Sequence, residues 1–383
     1  AVGGGVVLAA SYEAKAFGVY GGMPGRRARE LCPQLIFVDG HFKEYQRLGD
    51  AAIRVLGDFT PAVERISIDE AFADVAGCEH LFGPPVDIAR EIRRRVREEL
   101  GLPISVGVAR TKHLAKIASQ AAKPDGLVAV DPARELEFLH RLPVEMMWGV
   151  GPATKKRLND NGVVTIGQLA ETPGRSLEHL LGPAAGEKLQ ALAWNRDARR
   201  IQTDRRARSA GAQSALGKQR IGTELIRKTL RHLADRIASR LRDRSLTGRT
   251  VTVRVRFADL RSVTHAATLG APISATAILA EVAEDLVRAV LRAHSDERFL
   301  SLLAISVSHL EQDAAMQWEL PLGTPDDKRR PGTRRGAARF AADRAVDAIR
   351  DRFGWEAVGY GANAIDRRGS VPDAFRELAE KEL

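Results

Sequence analysis

The sequence predicts an α+β protein of two to three domains, and three observations lead to this class. The chain has 383 residues, a length that usually divides among several cores. Short apolar strands alternate with amphipathic helices up to about Val130. Between Ala210 and about Leu310 the pattern is strand, long helix, two strands, helix and strand, an order that forms a known compact unit.

The first 130 residues are predicted to form strands and helices in turn. We expect a short apolar strand at Val6–Ala10 and a helix in "FKEYQRLGDAAIRVLGDF", whose apolar residues recur at helical spacing. "VDIAREIRRRVREELG" has an apolar residue at every fourth position from 88 to 100 and stops at Gly101, which predicts another amphipathic helix. "PISVGVA" predicts a buried strand, residues 111–122 a helix, and "GLVAV" a further short strand.

The remainder divides into helical, mixed and polar segments. Residues 131–196 are predicted to be helical, and "NRDARRIQTDRRARS" (195–209) is a basic connector. Within the mixed segment, alternation along "TVTVRVRF" puts its valines on one face. The opposite face carries Thr250, Thr252, Arg254 and Arg256. The tail from 311 onward contains a predicted helix, "ARFAADRAVDAIRDRFG".

Charge is concentrated in one part of the chain. Lys and Arg number 59 against 49 Asp and Glu, a formal net charge of +10. From Arg205 to Arg261 there are 16 basic residues and four acidic ones, a clustering typical of surfaces that face phosphate backbones. We expect no membrane span and no signal peptide. Cys32 and Cys78 are too few for a disulfide framework or a zinc site, so we expect a reducing cytosol.

Two adjacent carboxylates stand out in "ERISIDEAFADV" (64–75). Asp69 and Glu70 lie in an apolar, strand-like run, where uncompensated charge is costly to bury. Carboxylates beside a phosphate-handling cleft suit Mg²⁺, which prefers oxygen ligands shared with substrate phosphates. Neighbouring side chains on a straight strand point to opposite faces, so both acids can serve one site only near a bend or hairpin. We therefore expect a hairpin close to "SIDEAF".

Five ordered motifs resemble the Y-family translesion DNA polymerases, most closely the DinB (DNA polymerase IV) type. They are "SYEAKAFGV" (11–19), "GMP" (22–24), "SIDEAF" (67–72), "SVGVARTKHLAKIASQAAKPDG" (105–126) and "GVGPATKKRLNDNGV" (149–163). The resemblance runs from residue 1 to about 310. It implies a right-hand polymerase with fingers at 1–41, palm at 42–130, thumb at 131–196, a linker at 197–209, a βαββαβ little finger at 210–310 and a tail at 311–383.

The resemblance also implies roles for particular residues. Asp69 and Glu70 would be two of the three acidic ligands of two Mg²⁺ ions, and Ser67 would lie at the primer end. The residues implied to contact the incoming dNTP are Tyr12, Lys15, Lys123 and Ala9. Lys15 stands where the family usually has Arg, so the charge is kept but the bidentate fork is lost. Small side chains at Ala9, Ala10, Gly21 and Gly22 would leave the nascent base pair room.

The family's first strand, which carries a third acid and the aromatic residue that excludes ribonucleotides, has no match in this sequence. About 35 residues would precede Ala1, and residues 1–38 contain no Asp. We favour a chain cut from a longer parent over a fold that has lost catalysis. The reason is that Asp69, Glu70, Lys123 and Tyr12 are retained together.

Two further motifs indicate binding partners. "WGVGPATKKRL" (148–158) fits a helix-hairpin-helix, in which Gly149 and Gly151 let backbone amides approach a phosphate of primer-template DNA. Lys155 and Lys156 would add charge to this element, as would Arg254 and Arg256 in the little finger. In the tail, "QWELPL" resembles the peptide that docks bacterial polymerases on the sliding β-clamp. Its anchors would be Gln317, Leu320 and Leu322.

The sequence as a whole predicts a template-directed, error-prone polymerase that adds dNMPs to a primer 3′ end past damaged bases. We expect a monomer in the bacterial cytoplasm, associated with the nucleoid. Three alternatives stay open here. A non-catalytic relative would bind only DNA and the clamp, a basic scaffold protein would need no metal, and a metal nuclease would degrade the primer.

Overall fold

The computed structural model describes residues 5–203, 207–312 and 329–360. The chain divides into two compact units, Ala1–Arg205 and Arg206–Leu383. In its first 130 residues, the first unit contains α1 (Tyr12–Ala16), α2 (Gly25–Leu31), α3 (Phe42–Gly57), β1 (Val63–Arg65), β2 (Ala71–Ala73), α4 (Glu79–Phe82), α5 (Pro85–Leu100), β3 (Val106–Val108), α6 (Lys112–Ala121) and β4 (Leu127–Ala129).

Most elements predicted for these residues are confirmed. Helix α5 ends where Gly101 donates its amide to the Arg97 carbonyl, and α6 begins at Thr111, whose side chain accepts the Leu114 amide. The strand expected at Val6–Ala10 is wrong, because Val6 makes only an isolated bridge to Pro24. β3 is shorter than expected and only half-buried along its length.

The strands of the first unit form two separate pairs. β1 and β2 are an antiparallel hairpin with Val63 opposite Ala73, whereas β3 and β4 run parallel. Helices α3 and α5 share a core that includes Val55, Ile88 and Val96, together with Phe59 just beyond α3. The hairpin expected at "SIDEAF" is thus confirmed, since residues 66–70 connect its two strands.

The rest of the first unit is helical, as predicted. It contains α7 (Glu135–His140), α8 (Pro152–Asp160), α9 (Ile166–Glu171), α10 (Gly174–Leu181) and α11 (Pro183–Ala193). Their core includes Leu139, Leu158 and Leu177, and it extends to Leu114 on α6. The helical segment therefore shares a core with the preceding α/β layer.

The predicted linker begins as part of the first unit. Asp197 accepts the backbone amide of His113 at 3.0 Å, and the amide of Gln202 reaches the Glu64 carboxylate at 2.7 Å. The basic composition of this stretch predicted a linker between domains. Its hydrogen bonds hold residues 197–202 against the first unit instead.

The second unit has the predicted β-α-β-β-α-β order. Its elements are β5 (Ser209–Arg220), α12 (Thr223–Asp243), β6 (Leu246–Phe257), β7 (Ser262–Ile273), α13 (Thr276–Ala293) and β8 (Phe299–Gln312). The sheet order is β5-β8-β6-β7, and all pairs are antiparallel. Val251, Val253 and Val255 are fully buried in the core shared with α12 and α13. The opposite face carries the predicted threonines and arginines.

A third helix of the second unit, α14 (Arg334–Phe353), confirms the helix predicted in the tail. Buried ion pairs join it to α12: Arg242 contacts Asp343 at 3.2 Å and Asp347 at 2.6 Å, and Arg350 contacts Asp235 at 2.9 Å. Arg242 and Asp343 are each almost fully enclosed, so neither charge can lose its partner cheaply. The sequence indicated the helix but not this packing.

Three further predictions concern membrane spans, the two cysteines and the clamp-binding residues. No helix within the described ranges is long and apolar enough to cross a membrane. Cys32 is buried and Cys78 half-buried, and both are free thiols. The predicted clamp-binding residues Gln317, Leu320 and Leu322 lie outside the described residues.

His113 on α6 makes the stability of the first unit depend on pH. Its ring is fully buried, and neither ring nitrogen has a hydrogen-bond partner among the described residues. Burial lowers the pKa of His113 to about 4, although nearby Asp197 opposes the shift. The unfolded chain therefore binds a proton between pH 6.5 and 4 that the folded chain does not, and stability falls as the pH falls through that window.

We predict that the wild type loses about 2 kcal/mol of unfolding free energy between pH 7.5 and 5 relative to His113→Phe. Urea unfolding at both pH values measures this difference. His179→Phe, at an exposed position on α10, is the matched control and should keep the wild-type pH dependence. Equal pH dependence in wild type and His113→Phe would contradict the assignment.

Candidate active site

The two acids lie in the turn of the β1–β2 hairpin, not on a strand. Backbone hydrogen bonds close this turn, because the amides of Ile66 and Ser67 both reach the Glu70 carbonyl, at 3.0 and 3.2 Å. Asp69 is exposed and Glu70 half-buried. The apparent cost of burying adjacent carboxylates in a strand therefore does not arise, and both side chains are accessible to ligands.

Ser67 and Asp69 form a local pair within this turn. The Ser67 hydroxyl donates to Asp69 Oδ1 at 2.5 Å, and the Asp69 amide donates to Ser67 Oγ at 3.3 Å. A serine that bonds the backbone two residues on stabilises a tight turn. The predicted primer-end residue and one predicted metal ligand are thus in direct contact.

Glu70 is held by a lysine that the sequence analysis did not assign to the site. Lys116 Nζ, on α6, lies 2.7 Å from Glu70 Oε2. The same ammonium lies 5.4 Å from the ring centroid of Trp148, the residue before the predicted helix-hairpin-helix glycines. Glu70 therefore has a counter-charge without any metal.

A second lysine of α6 contacts the hairpin one helical turn earlier. Lys112 pairs with the buried carboxylate of Glu64 on β1, which also accepts the Gln202 amide. Lys112 and Lys116 are four residues apart, so their positions on a helix predict that both side chains lie on one face. This spacing does not identify the residues that the two lysines contact. Together they hold the hairpin against α6.

Tyr12 and Lys15, the predicted dNTP contacts, lie on the short helix α1. Lys15 Nζ is 4.5 Å from the Tyr12 ring centroid, and 53% of the Tyr12 side chain is exposed, so it is not a core aromatic. Ala9 is also exposed. The structure brings Tyr12 and Lys15 together, whereas their association with the acids rests on the family resemblance.

Lys123 lies just beyond α6, the helix that carries Lys116. It follows the helix-ending residue Ala122, precedes Pro124 in a cis peptide bond, and is exposed. An exposed ammonium at this position is available to an anionic ligand. Lys123 thus follows α6, the helix whose lysines contact Glu64 and Glu70 of the hairpin.

The predicted helix-hairpin-helix has the expected backbone. Gly149 adopts φ +105°, a conformation that favours glycine, and Gly151 immediately precedes α8. Lys155 pairs with Glu145 at 2.8 Å and Lys156 with Asp160 at 2.7 Å. The hydrogen bond from Lys155 lowers the pKa of Glu145. Both lysines therefore have protein partners, which the sequence did not indicate.

Arg254 and Arg256 lie on the outward face of the second unit's sheet. Arg254 donates to the Gln213 side chain at 2.6 Å, and Arg256 donates to the Ser301 hydroxyl at 2.9 Å. Neutral hydrogen-bond partners leave the positive charge of both guanidinium groups uncompensated by these contacts. This face remains suited to a phosphate backbone.

The donor atoms at the turn fit a hard divalent cation that is shared with a substrate. Mg²⁺ is commonly bound by one or two carboxylates together with substrate phosphates, and Asp69 and Glu70 supply two carboxylates from one turn. Across the described ranges, no group of three His, Cys, Asp or Glu side chains is arranged to hold a metal. The pair therefore fits a cation whose further ligands include substrate phosphate oxygens.

Comparisons with known proteins identify the family. Residues 1–120 match the impB/mucB/samB family, and residues 207–320 match the impB/mucB/samB family C-terminal domain. The chain is 71% identical over 383 residues to "DNA polymerase IV 2" of Mesorhizobium japonicum, covering 100% of this chain and 92% of the relative.

Two solved structures have the same fold. The "Y-family DNA polymerase chimera Dbh-Dpo4(243-245)-Dbh" has a TM-score of 0.70 and 25% identity, covering 80% of this chain and 88% of that one. The "Dbh Ternary Complex (substrates partially disordered)" has a TM-score of 0.57 and 25% identity, covering 80% and 90%. The fold is that of a Y-family polymerase. The chain belongs to the Y-family DNA polymerases of the DNA polymerase IV (DinB) type, and the resemblance seen in the motifs is confirmed.

Proposed function

We propose that the protein is a template-directed DNA polymerase of the error-prone translesion class, acting on a primer 3′ end past damaged template bases. The observation that carries this proposal is the hairpin turn that presents Asp69 and Glu70 side by side within a chain of this family. A non-catalytic accessory role is not favoured, because a relative that is 71% identical over all 383 residues is named as a DNA polymerase.

The acids and Ser67 would form the reaction centre. Asp69 and Glu70 would hold two Mg²⁺ ions with the substrate phosphates, and such ions activate a 3′-hydroxyl and neutralise a leaving pyrophosphate. The Ser67 hydroxyl fixes the Asp69 carboxylate through its 2.5 Å hydrogen bond and would lie at the primer end. The reaction would be in-line attack of the 3′-oxygen on the α-phosphate of the dNTP.

The remaining contacts with the dNTP would come from three residues outside the turn. Tyr12, Lys15 and Lys123 would bind the triphosphate, and exposed Ala9 would leave space beside the nascent pair. Lys15 offers a point charge where Arg would offer a planar fork, so its grip on phosphate depends less on orientation. These contacts would neutralise and orient the dNTP without entering the bond changes.

Primer-template DNA would be held through its backbone. The amides that follow Gly149 and Gly151 would approach one phosphate at the start of α8, where the helix N-terminus favours an anion. In the second unit, Arg254 and Arg256 would face the duplex. Contacts of this kind position DNA without reading its sequence, as a polymerase requires.

We propose that the protein acts as a monomer in the bacterial cytoplasm, at the nucleoid.

Primer extension tests the proposed reaction. With the protein expressed from its complete gene, we predict Mg²⁺-dependent addition of dNMPs to a primer annealed to its template. Asp69→Asn should lower kcat about 10³-fold, because the loss of a metal-binding carboxylate removes several kcal/mol of transition-state stabilisation. Asp39→Asn, which changes an exposed acid outside the hairpin, should retain wild-type activity. Extension by Asp69→Asn at the wild-type rate would overturn the assignment of Asp69 to the metal site. Degradation of the primer would indicate a nuclease.

We further propose that Gln317, Leu320 and Leu322 dock the protein on the sliding β-clamp. Support comes from the sequence "QWELPL" (317–322) and from its position in the chain. It follows β8 and overlaps the end of the segment that matches the C-terminal family domain, residues 207–320. A short extended peptide with two apolar anchors is a common way to occupy a hydrophobic groove.

Surface plasmon resonance on immobilised clamp tests this proposal. Gln317→Ala combined with Leu320→Ala should weaken clamp binding about 30-fold, as expected when anchor side chains are truncated. Primer extension without the clamp is the control and should stay at the wild-type rate. Undiminished clamp affinity in the double variant would exclude this peptide as the docking site.

A further inference from the structure

The hairpin turn is fastened from within by an arginine at the end of β1. Arg65 Nε donates to the Ser67 carbonyl at 2.9 Å, and Arg65 Nη2 donates to the Ile68 carbonyl at 3.2 Å. These carbonyls belong to the two residues that precede Asp69. A single guanidinium thus fixes two consecutive peptide groups on the approach to the acid pair.

The same guanidinium is anchored to helix α3. Arg65 Nη1 lies 2.6 Å from Asp50 Oδ1, and the side chain of Gln46, one turn earlier, also donates to Asp50. Arg65 and Asp50 are each about one-third exposed, at 31% and 34%, so the pair is partly shielded from water. The turn is therefore tied through Arg65 to a sixteen-residue helix.

Helix α3 also lets the turn approach closely at one position. A Cβ atom at Gly49 would lie only 2.4 Å from the Ile68 carbonyl oxygen. That distance is impossible without a shift of the backbone, so any side chain at residue 49 would push the turn away from the helix. Gly49 and Asp50 thus form a seat for the tip of the hairpin.

We propose that Arg65 is a positioning residue for the acid pair, acting from the seat formed by Gly49 and Asp50. Arg65 contacts the backbone of the turn and neither carboxylate of the pair, so it acts through the peptide groups of Ser67 and Ile68. Holding catalytic groups to within a fraction of an ångström requires supporting contacts of this kind. The catalytic consequence rests on the proposed function, whereas the ordering of the turn does not.

The test compares Arg65→Met with Arg65→Lys, and uses Arg47→Met as the matched control. Arg47 lies on α3 in an exposed pair with Glu44, 2.9 Å apart, and does not contact the turn. Amide hydrogen exchange at Ile66 and Ser67 should accelerate at least tenfold in Arg65→Met. Arg65→Lys retains the charge but loses the fork, so it should restore only part of the protection.

Single-nucleotide insertion provides the second measurement. Arg65→Met should lower kcat about 100-fold while leaving KM for the dNTP within twofold, because Tyr12, Lys15 and Lys123 lie on other elements. Gly49→Ala should reproduce this pattern, since it displaces the same turn without removing a charge. Arg47→Met should match the wild type in both measurements.

The outcomes separate the two proposals. Unchanged exchange at Ile66 and Ser67, or a fall in kcat matched by an equal rise in KM, would overturn the positioning role. If the wild type extends no primer, the proposed function fails, and accelerated exchange in Arg65→Met would still uphold Arg65 as the residue that orders the turn. If the wild type extends primers and Arg65→Met does so equally well, the positioning role fails alone.

Discussion

The candidate site depends on one constraint, which is that two adjacent carboxylates must be held at the tip of a short hairpin. Like charges so close together repel, and a turn between two three-residue strands has few hydrogen bonds of its own. Basic side chains from two directions meet this constraint. Arg65 fastens the turn to α3, whereas Lys112 and Lys116 fasten the hairpin to α6.

The contact between Lys116 and Glu70 supplies a counter-charge to the acid pair from the protein itself. A divalent cation that binds Glu70 must displace the Lys116 ammonium or share the carboxylate with it. The ammonium already lies near the face of Trp148. The ring centroid of Trp148 also lies 5.8 Å from the ring centroid of Phe72 on β2 and 4.3 Å from Cζ of Arg199. The acid pair, the start of the proposed DNA-binding glycine turn and residues after α11 are therefore connected through one aromatic ring.

Local patterns in the sequence predicted the elements well, and the long-range contacts poorly. Apolar residues at every fourth position and the stop at Gly101 predicted α5. The alternation of valines with polar residues predicted which face of β6 is buried. Both patterns lie within a few consecutive residues, so the sequence alone reveals them. Because neighbouring side chains on a strand point to opposite faces, the sequence also predicted a hairpin close to Asp69 and Glu70. The roles of Arg65, Lys112 and Lys116 were not predicted, since their partners are identified only when separate elements pack. The strand expected at Val6–Ala10 failed for a related reason: an apolar run becomes a strand only where a partner strand pairs with it.

The central claim is our proposal that a divalent cation binds Glu70 in competition with the Lys116 ammonium. Electron paramagnetic resonance titration of Mn²⁺ into the protein with bound dNTP tests it most directly. Lys116→Met should tighten Mn²⁺ binding by about fivefold, the order expected for removing a partly exposed competing ion pair. Glu70→Gln should weaken Mn²⁺ binding. Unchanged Mn²⁺ affinity in both variants would contradict the account.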